Sequence, residues 1–135
     1  MHEAEVDIII PFHDVDMMAI CWHGHYVKYF ELARCALFDK IDYNYVQMRD
    51  SGYAWPVVDL RIRYPGPTTF NQKVTVKATI IEWENRLKIN YELRDSQTAK
   101  RLTKGYTVQV AVDMSNQEMC FESPEVLYEK LGLRP

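Results

Sequence analysis

The sequence predicts an α+β fold in which one long helix lies on one face of an antiparallel sheet. Three features carry this prediction. A β-rich run stands near the N-terminus, a stretch of helical period follows it, and after Gly52 the apolar residues switch to alternation that persists for most of the remaining chain. The strands are joined by short turns, with no room for crossover helices, so they pair antiparallel.

In chain order, Val6-Asp7-Ile8-Ile9-Ile10 forms the first strand and ends at Pro11, which cannot donate a ladder hydrogen bond. From Gly24 to about Lys40, Tyr26, Phe30, Ala33, Leu37 and Ile41 recur at steps of three or four, the period of one helix face. On that helix Lys28 and Glu31 are spaced for an i, i+3 ion pair. A shorter helix from about Tyr43 to Asp50 stops near Ser51-Gly52. Val58, Leu60, Ile62 and Tyr64 then alternate with Asp59, Arg61 and Arg63 until Pro65-Gly66-Pro67 breaks the run. Val74, Val76, Ala78 and Ile80 mark the next strand, and Glu84-Asn85 turns it into one carrying Leu87, Ile89, Tyr91 and Leu93. A turn at Asp95-Ser96-Gln97 leads to the last strand, expected to be the longest, with Tyr106, Val108, Val110 and Val112 on one face. Ser123-Pro124-Glu125 reads as N-cap, N1 proline and first-turn acid of a short C-terminal helix ending at Gly132.

A chain of 135 residues has room for a single domain, 1–135, and 47% hydrophobic against 26% charged residues is enough apolar material to close its core. The formal net charge of -3 gives no global positive field, so neither nucleic acid nor a membrane is an expected partner, and an anionic ligand would need a local basic patch. Cys21, Cys35 and Cys120 are odd in number and lack CxxC spacing, which argues against a disulfide framework or a zinc knuckle and for a reducing compartment. With no signal-peptide pattern after Met1 and no apolar run of bilayer length, the expected location is the cytoplasm. One helix covers only one side of such a sheet. The Thr, Tyr and Ile on the strand faces therefore predict a rim buried by another subunit, so a homo-oligomer is expected.

Reactive side chains are densest between the first strand and the long helix, from Phe12-His13-Asp14 through Asp16 to His23-Gly24-His25-Tyr26. Backbone N–H groups point outward at a helix start and favour developing negative charge, while a nearby carboxylate serves as nucleophile or general base. Together these are the two halves of acyl-transfer chemistry.

Asp14-Val15-Asp16, Ile20-Cys21-Trp22-His23 and Tyr26-Val27-Lys28-Tyr29-Phe30-Glu31-Leu32-Ala33-Arg34 resemble the D-x-D…H-x-x-Y-x-x-(Y/F)-(F/Y)-E-x-A-R signature of hotdog-fold acyl-CoA thioesterases of the 4-hydroxybenzoyl-CoA thioesterase type. The resemblance continues through Ser51-Gly52, Pro56-Val57-Val58, Arg63-Tyr64, Phe70 and the later strands, covering roughly residues 5 to 113. It implies a hotdog, a long helix wrapped by a curved antiparallel sheet of about five strands. It also implies Asp16 as the catalytic carboxylate and the His23 backbone N–H as the group that polarises the thioester carbonyl. The chain departs from the family in having Ala19 where a glycine is usual and Met17 and Met18 where small residues are usual. Glycine permits positive φ, so Ala19 is expected to shift the loop, and the two methionines offer a flexible apolar wall for an acyl group.

Each residue also has a plainer reading. Asp16 is a favoured cap or turn residue, although the surrounding signature favours catalysis. His23 and His25 form an H-x-H, but residues two apart do not share a helix face and no third ligand is recognisable, so no metal is expected and His25 is read as exposed. Cys21 reads as a small buried hydrophobe and Glu31 as a partner for Arg34 or Lys28. Asp59 is either pocket-lining or solvated. Trp22, Tyr26, Val58 and Asp59 are candidates to line the substrate site, while Arg86 and Lys88 are candidates for coenzyme A phosphates, with a solvated hairpin as the alternative for each. Phe12, Trp22 and Trp55 admit aromatic or aliphatic acyl groups alike.

The expected function is hydrolysis of an acyl-CoA to free acid and coenzyme A without metal or organic cofactor, by water attack or through an acyl-Asp anhydride. The alternative is a non-catalytic hotdog binding acyl-CoA or acyl-carrier protein. A dehydratase is disfavoured by the D-x-D loop. The expected assembly is at least a dimer and, more fully, a tetramer of paired hotdogs with shared sites.

Overall fold

The computed structural model describes residues 2–63 and 66–133. The elements are β1 (Glu3–Ile9), a 3-10 turn (Phe12–Asp14), α1 (His25–Lys40), α2 (Tyr45–Asp50), β2 (Tyr53–Ala54), β3 (Val57–Arg63), β4 (Lys73–Glu82), β5 (Leu87–Asp95), β6 (Arg101–Gln109), β7 (Val112–Asp113), β8 (Glu118–Met119) and α3 (Glu125–Leu131). Tyr64 and Pro65, assigned above to a strand end and its break, lie outside the described residues.

Five antiparallel strands form the main sheet in the order β1-β4-β5-β6-β3, and β2-β7-β8 form a small second sheet. Alternation places the inward set where it was predicted. Val74, Val76, Ala78 and Ile80 on β4 and Leu87, Ile89, Tyr91 and Leu93 on β5 are all buried, against Tyr26, Tyr29, Phe30, Ala33 and Leu37 of α1. Burying side chains of this size contributes about 1.5–3 kcal/mol each before entropy is counted. This is the helix-on-curved-sheet arrangement of a hotdog, with the short C-terminal helix in place.

Helix and sheet approach closely at one point. The Phe30 ring stacks on Tyr91 with centroids 4.6 Å apart, and Gly105 stands opposite Tyr91 on the next strand. A Cβ at Gly105 would lie 2.8 Å from Phe30 Cε2 and 2.3 Å from the Arg61 carbonyl oxygen, so any side chain there would displace the helix or the strand. α1 lies mainly over β1, β4 and β5. The β3 edge leaves Val57, Val58 and Leu60 exposed.

Several local expectations are corrected. The last strand ends at Gln109, equals β5 in length and is shorter than β4. Val110 falls outside it, and Val112 belongs to β7, where it pairs with Ala54 of β2. Pro124, not Ser123, is the N-cap of α3, because the Ser123 N–H is drawn onto the Glu84 carbonyl at 2.8 Å and its buried hydroxyl caps nothing. Gly132 does close α3, with a left-handed φ of 71°. Lys28 pairs with Asp14 instead of Glu31, since a buried carboxylate needs the countercharge more than an exposed one does, and Glu31 turns to Arg34 at 3.4 Å. His25 is not exposed but partly covered beside Asp14. The turn after β5 forms around Asp95, whose carboxyl is held down to about 2 by hydrogen bonds from Gln72, Thr98 and Gln97.

Candidate active site

Between β1 and α1 the chain folds back on itself in a tight hairpin. Val15 bridges Cys21, the Asp16 N–H donates to the Ile20 carbonyl at 2.9 Å, and the Ala19 N–H donates to the Asp16 carbonyl at 3.0 Å. Ala19 takes a φ of 58°, in the left-handed region that a glycine occupies without strain, so the alanine bears strain there. The hairpin is sewn to the segment before β4, with the Phe70 N–H on the Ala19 carbonyl at 3.0 Å and the Cys21 N–H on the Thr68 carbonyl at 2.7 Å.

Asp16 sits in the turn of this hairpin and is exposed. Its Oδ1 accepts from the Met18 N–H at 2.8 Å and, more weakly, from the Ile20 N–H at 3.4 Å. Among the described residues Oδ2 has no partner. The loop and the segment it is sewn to carry exposed apolar side chains: Met17 and Met18 next to Asp16 in the turn, Phe12 edge-on to Phe70 at 5.7 Å, and Trp22. One oxygen is thus fixed and the other open.

The base of the hairpin is held by a group that sequence reasoning gave no role. Asp14 is 1% exposed and accepts from Lys28 Nζ at 2.8 and 2.7 Å and from the Tyr29 hydroxyl at 2.5 Å, with His25 Nδ1 3.6 Å away. Burial pushes its carboxyl up, but the hydrogen bonds from Lys28 and Tyr29 and the charges of Lys28 and His25 outweigh burial and hold it below the ordinary carboxylate range. Tyr29 is driven the other way, far above the usual phenol range, by burial and by Asp14. Cys21 is buried as expected, and burial pushes its thiol up, which keeps it protonated and a poor nucleophile. The signal for Asp14 lay in the sequence as the first Asp of D-x-D, with Lys28 and Tyr29 one helical turn past His25.

The remaining candidates fall into two groups. His23 and Trp22 sit where the hairpin leads into α1, with their rings 5.0 Å apart, and Trp22 folds over Gly24, where a Cβ would lie 2.2 Å from the indole. Tyr26 is buried with its hydroxyl 2.8 Å from Thr68 Oγ1, which makes it part of the packing beneath the loop. The hairpin register sets Asp16 opposite Ile20, three residues short of His23, or on the order of 10 Å of extended chain.

At the far end of the sheet, Asp59 and Lys88 both stand opposite Val108, and Val58 bulges beside Asp59. Lys88 Nζ lies 4.4 Å from the centroid of the Tyr106 ring, and the Tyr106 hydroxyl donates to Asp59 at 3.4 Å. Arg86 grips Glu82 with two hydrogen bonds, at 2.7 and 3.2 Å. Seven residues of β5 separate Lys88 from Asp95, which lies at the end near Asp16, so the two groups are on the order of 20 Å apart within one chain. Beside the start of β3, Phe38, Tyr45, Val46, Trp55 and Val112 line an apolar groove of about 860 Å³. Among the described residues no cluster of three or more His, Cys, Asp or Glu is placed to hold a metal ion, and no helix is long and apolar enough to cross a membrane.

A family model described as the thioesterase-like superfamily matches residues 10–131, which takes in the hairpin, the long helix and the whole main sheet after β1. The chain belongs to the thioesterase-like superfamily. It is 30% identical over 114 residues to YneP of Bacillus subtilis (strain 168), a protein named provisionally as an acyl-CoA thioesterase, across 84% of this chain and 82% of that one. Its fold is similar to that of a DHNA-CoA thioesterase from Staphylococcus aureus, with a TM-score of 0.80 and 24% identity over 90% of this chain and 81% of that one. It is also similar to Slr0204, a 1,4-dihydroxy-2-naphthoyl-CoA thioesterase from Synechocystis, with a TM-score of 0.85 and 15% identity over 96% of each chain. These structural likenesses show the hotdog fold, and superfamily membership meets the expectation of a thioester hydrolase.

Proposed function

We propose that this chain hydrolyses an acyl-CoA to the free acid and coenzyme A, with Asp16 as general base or nucleophile. The observation that carries the reading is the Asp16 carboxylate itself, pinned through Oδ1 and open at Oδ2 in the hairpin that leads into α1, with Met17 and Met18 exposed beside it in the chain. Oδ2 takes a proton from water attacking the thioester carbonyl, or attacks that carbonyl directly, and the backbone N–H at His23 polarises the carbonyl oxygen. The D-x-D to A-R signature supports a hydrolase of the 4-hydroxybenzoyl-CoA type. Free Cys21, Cys35 and Cys120 fit a cytoplasmic location for this single-domain chain.

The site is completed by a second copy. Val58, Asp59, Arg86 and Lys88 are too far from Asp16 of their own chain to meet the same acyl-CoA carbonyl region. Antiparallel pairing of two β3 edges would reverse one copy and set its Asp59–Lys88 end beside the Asp16 end of the other. The exposed apolar side chains of β3, Val57, Val58 and Leu60, support a dimer at least, and stacking of two dimers gives the tetramer. In this reading Trp22, Met17 and Met18 wall the acyl group, while Arg86 and Lys88 of the other copy face the coenzyme A phosphates once Glu82 releases Arg86.

Thiol release from a panel of aromatic, short and long acyl-CoAs tests the reading. Wild type should turn over at least one class, and Asp16→Asn should lower kcat on it by about a hundredfold or more with unchanged melting. Asp16→Asn as fast as wild type would overturn the role of Asp16. Binding of acyl-CoA without thiol release would favour a non-catalytic binder.

A further inference from the structure

We infer that Asp14 is a positioning residue, the buried anchor that fixes the Asp16 hairpin against the first turns of α1. The inference rests on the thioesterase reading only for its effect on turnover. Three contacts converge on this one side chain from the helix: Lys28 and Tyr29 by hydrogen bonds and His25 by proximity. Its main chain faces the other way. The Asp14 carbonyl accepts from the Trp22 N–H at 3.0 Å, and its N–H donates to the Pro11 carbonyl at 3.0 Å. One residue thus ties the outgoing leg of the hairpin, the returning leg and the helix together, two positions before Asp16 and one position across from His23.

Buried carboxylates are costly unless every oxygen is satisfied, and both oxygens of Asp14 are. At 1% exposure Asp14 cannot reach substrate, so it acts through Asp16 and the start of α1. Without it, the exposed hairpin keeps its own turn and its ties to Thr68, Thr69 and Phe70, but its hold on the helix falls to the weaker contact of Cys21 Sγ with the Tyr29 hydroxyl at 3.7 Å. The spacing between the Asp16 carboxylate and the helix start would then fluctuate, and misplacement of reacting groups by an ångström is enough to lose rate without losing binding.

The test compares Asp14→Asn, Tyr29→Phe and Lys28→Met with wild type and Asp16→Asn. Lys28→Met and Tyr29→Phe each keep the carboxylate and remove a tie to it, Tyr29→Phe removing the Cys21 Sγ contact as well, so they carry the test if Asp14→Asn does not fold. The expected result is a kcat lowered about tenfold or more in Asp14→Asn, and severalfold in the other two, with KM within a factor of two of wild type. Amide hydrogen exchange at Asp16, Met18 and Trp22 should rise in the same variants while the β4 and β5 amides stay protected. Wild-type kcat in Tyr29→Phe and Lys28→Met, or hairpin amides as protected as in wild type, would overturn the inference even if Asp16→Asn is inactive. If wild type hydrolyses no acyl-CoA, the thioesterase reading fails and the exchange measurement alone decides whether Asp14 anchors the hairpin.

Discussion

Ala19 holds a left-handed φ because its neighbours require it: its N–H closes the turn onto Asp16 and its carbonyl receives the Phe70 N–H. A non-glycine residue in that region costs about 1 kcal/mol or somewhat more. Ala19→Gly removes this strain but loosens the unfolded chain by roughly 0.4–1 kcal/mol. The two effects nearly cancel, leaving a net change between zero and about 1 kcal/mol of stabilisation. Urea denaturation of the variant checks this, and a loss of about 1 kcal/mol or more would mean that the turn is held differently. The sequence suggested where this strain would fall, since Ala19 stands where the resembled family usually has a glycine. Asp14 was harder to read. Its partners Lys28 and Tyr29 lie fourteen and fifteen residues away, and the local spacing of Lys28 with Glu31 pointed to the wrong acid.

Among the elements, α2 is the one whose stability rests most visibly on its end. Asn44 Oδ1 accepts from the Gln47 N–H at 3.0 Å while Gln47 Oε1 accepts from the Asn44 N–H at 2.7 Å, a reciprocal cap on a six-residue helix. So short a helix has little propagation to draw on. Asn44→Ala should cost about 1 kcal/mol and lower the melting temperature by roughly 3–5 °C. An unchanged melting curve would assign the hold on α2 to Met48 packing alone. The long strands and α1 were legible because seven or more residues give a period time to show. β7 and β8 were not, because a two-residue ladder has no period and is defined by a distant partner, as Val112 is by Ala54. Ser123 misled for a related reason: its side chain suits a cap, but its backbone is committed to Glu84.

For the molecule as a whole, the free edge of β3, with Val57, Val58 and Leu60 exposed, is the ground for expecting self-association. Wild type should sediment well above 16.0 kDa at micromolar concentration. Leu60→Lys puts a charge on the exposed apolar edge, a device that blocks edge pairing. It should shift the population toward monomer and remove thioester hydrolysis while leaving the helical signal intact. A wild-type monomer, or a monomeric variant that still turns over, would remove the shared-site assembly. Charge and cysteine usage had little to say about this surface, whereas alternation along Val58, Leu60 and Ile62 already marked a strand with an apolar side to cover.

The order of the main sheet also sets an order of assembly. β4 with β5 and β5 with β6 are pairs of sequence neighbours, whereas β1 must wait for β4, where Val6 meets Val76, and β3 must wait for β6, where Leu60 meets Thr107. The central three strands are therefore the natural nucleus, and the outer two close long loops at an entropic cost that slows them. The hairpin bearing Asp16 depends on the first of these late events, because it follows β1 and is sewn to Thr68, Thr69 and Phe70 ahead of β4. On a ribosome, α1 emerges when only β1 of the strands it will cover has been made, so much of its apolar face of Tyr26, Phe30 and Leu37 waits for the synthesis of β4 and β5. The hairpin is made early and ordered late.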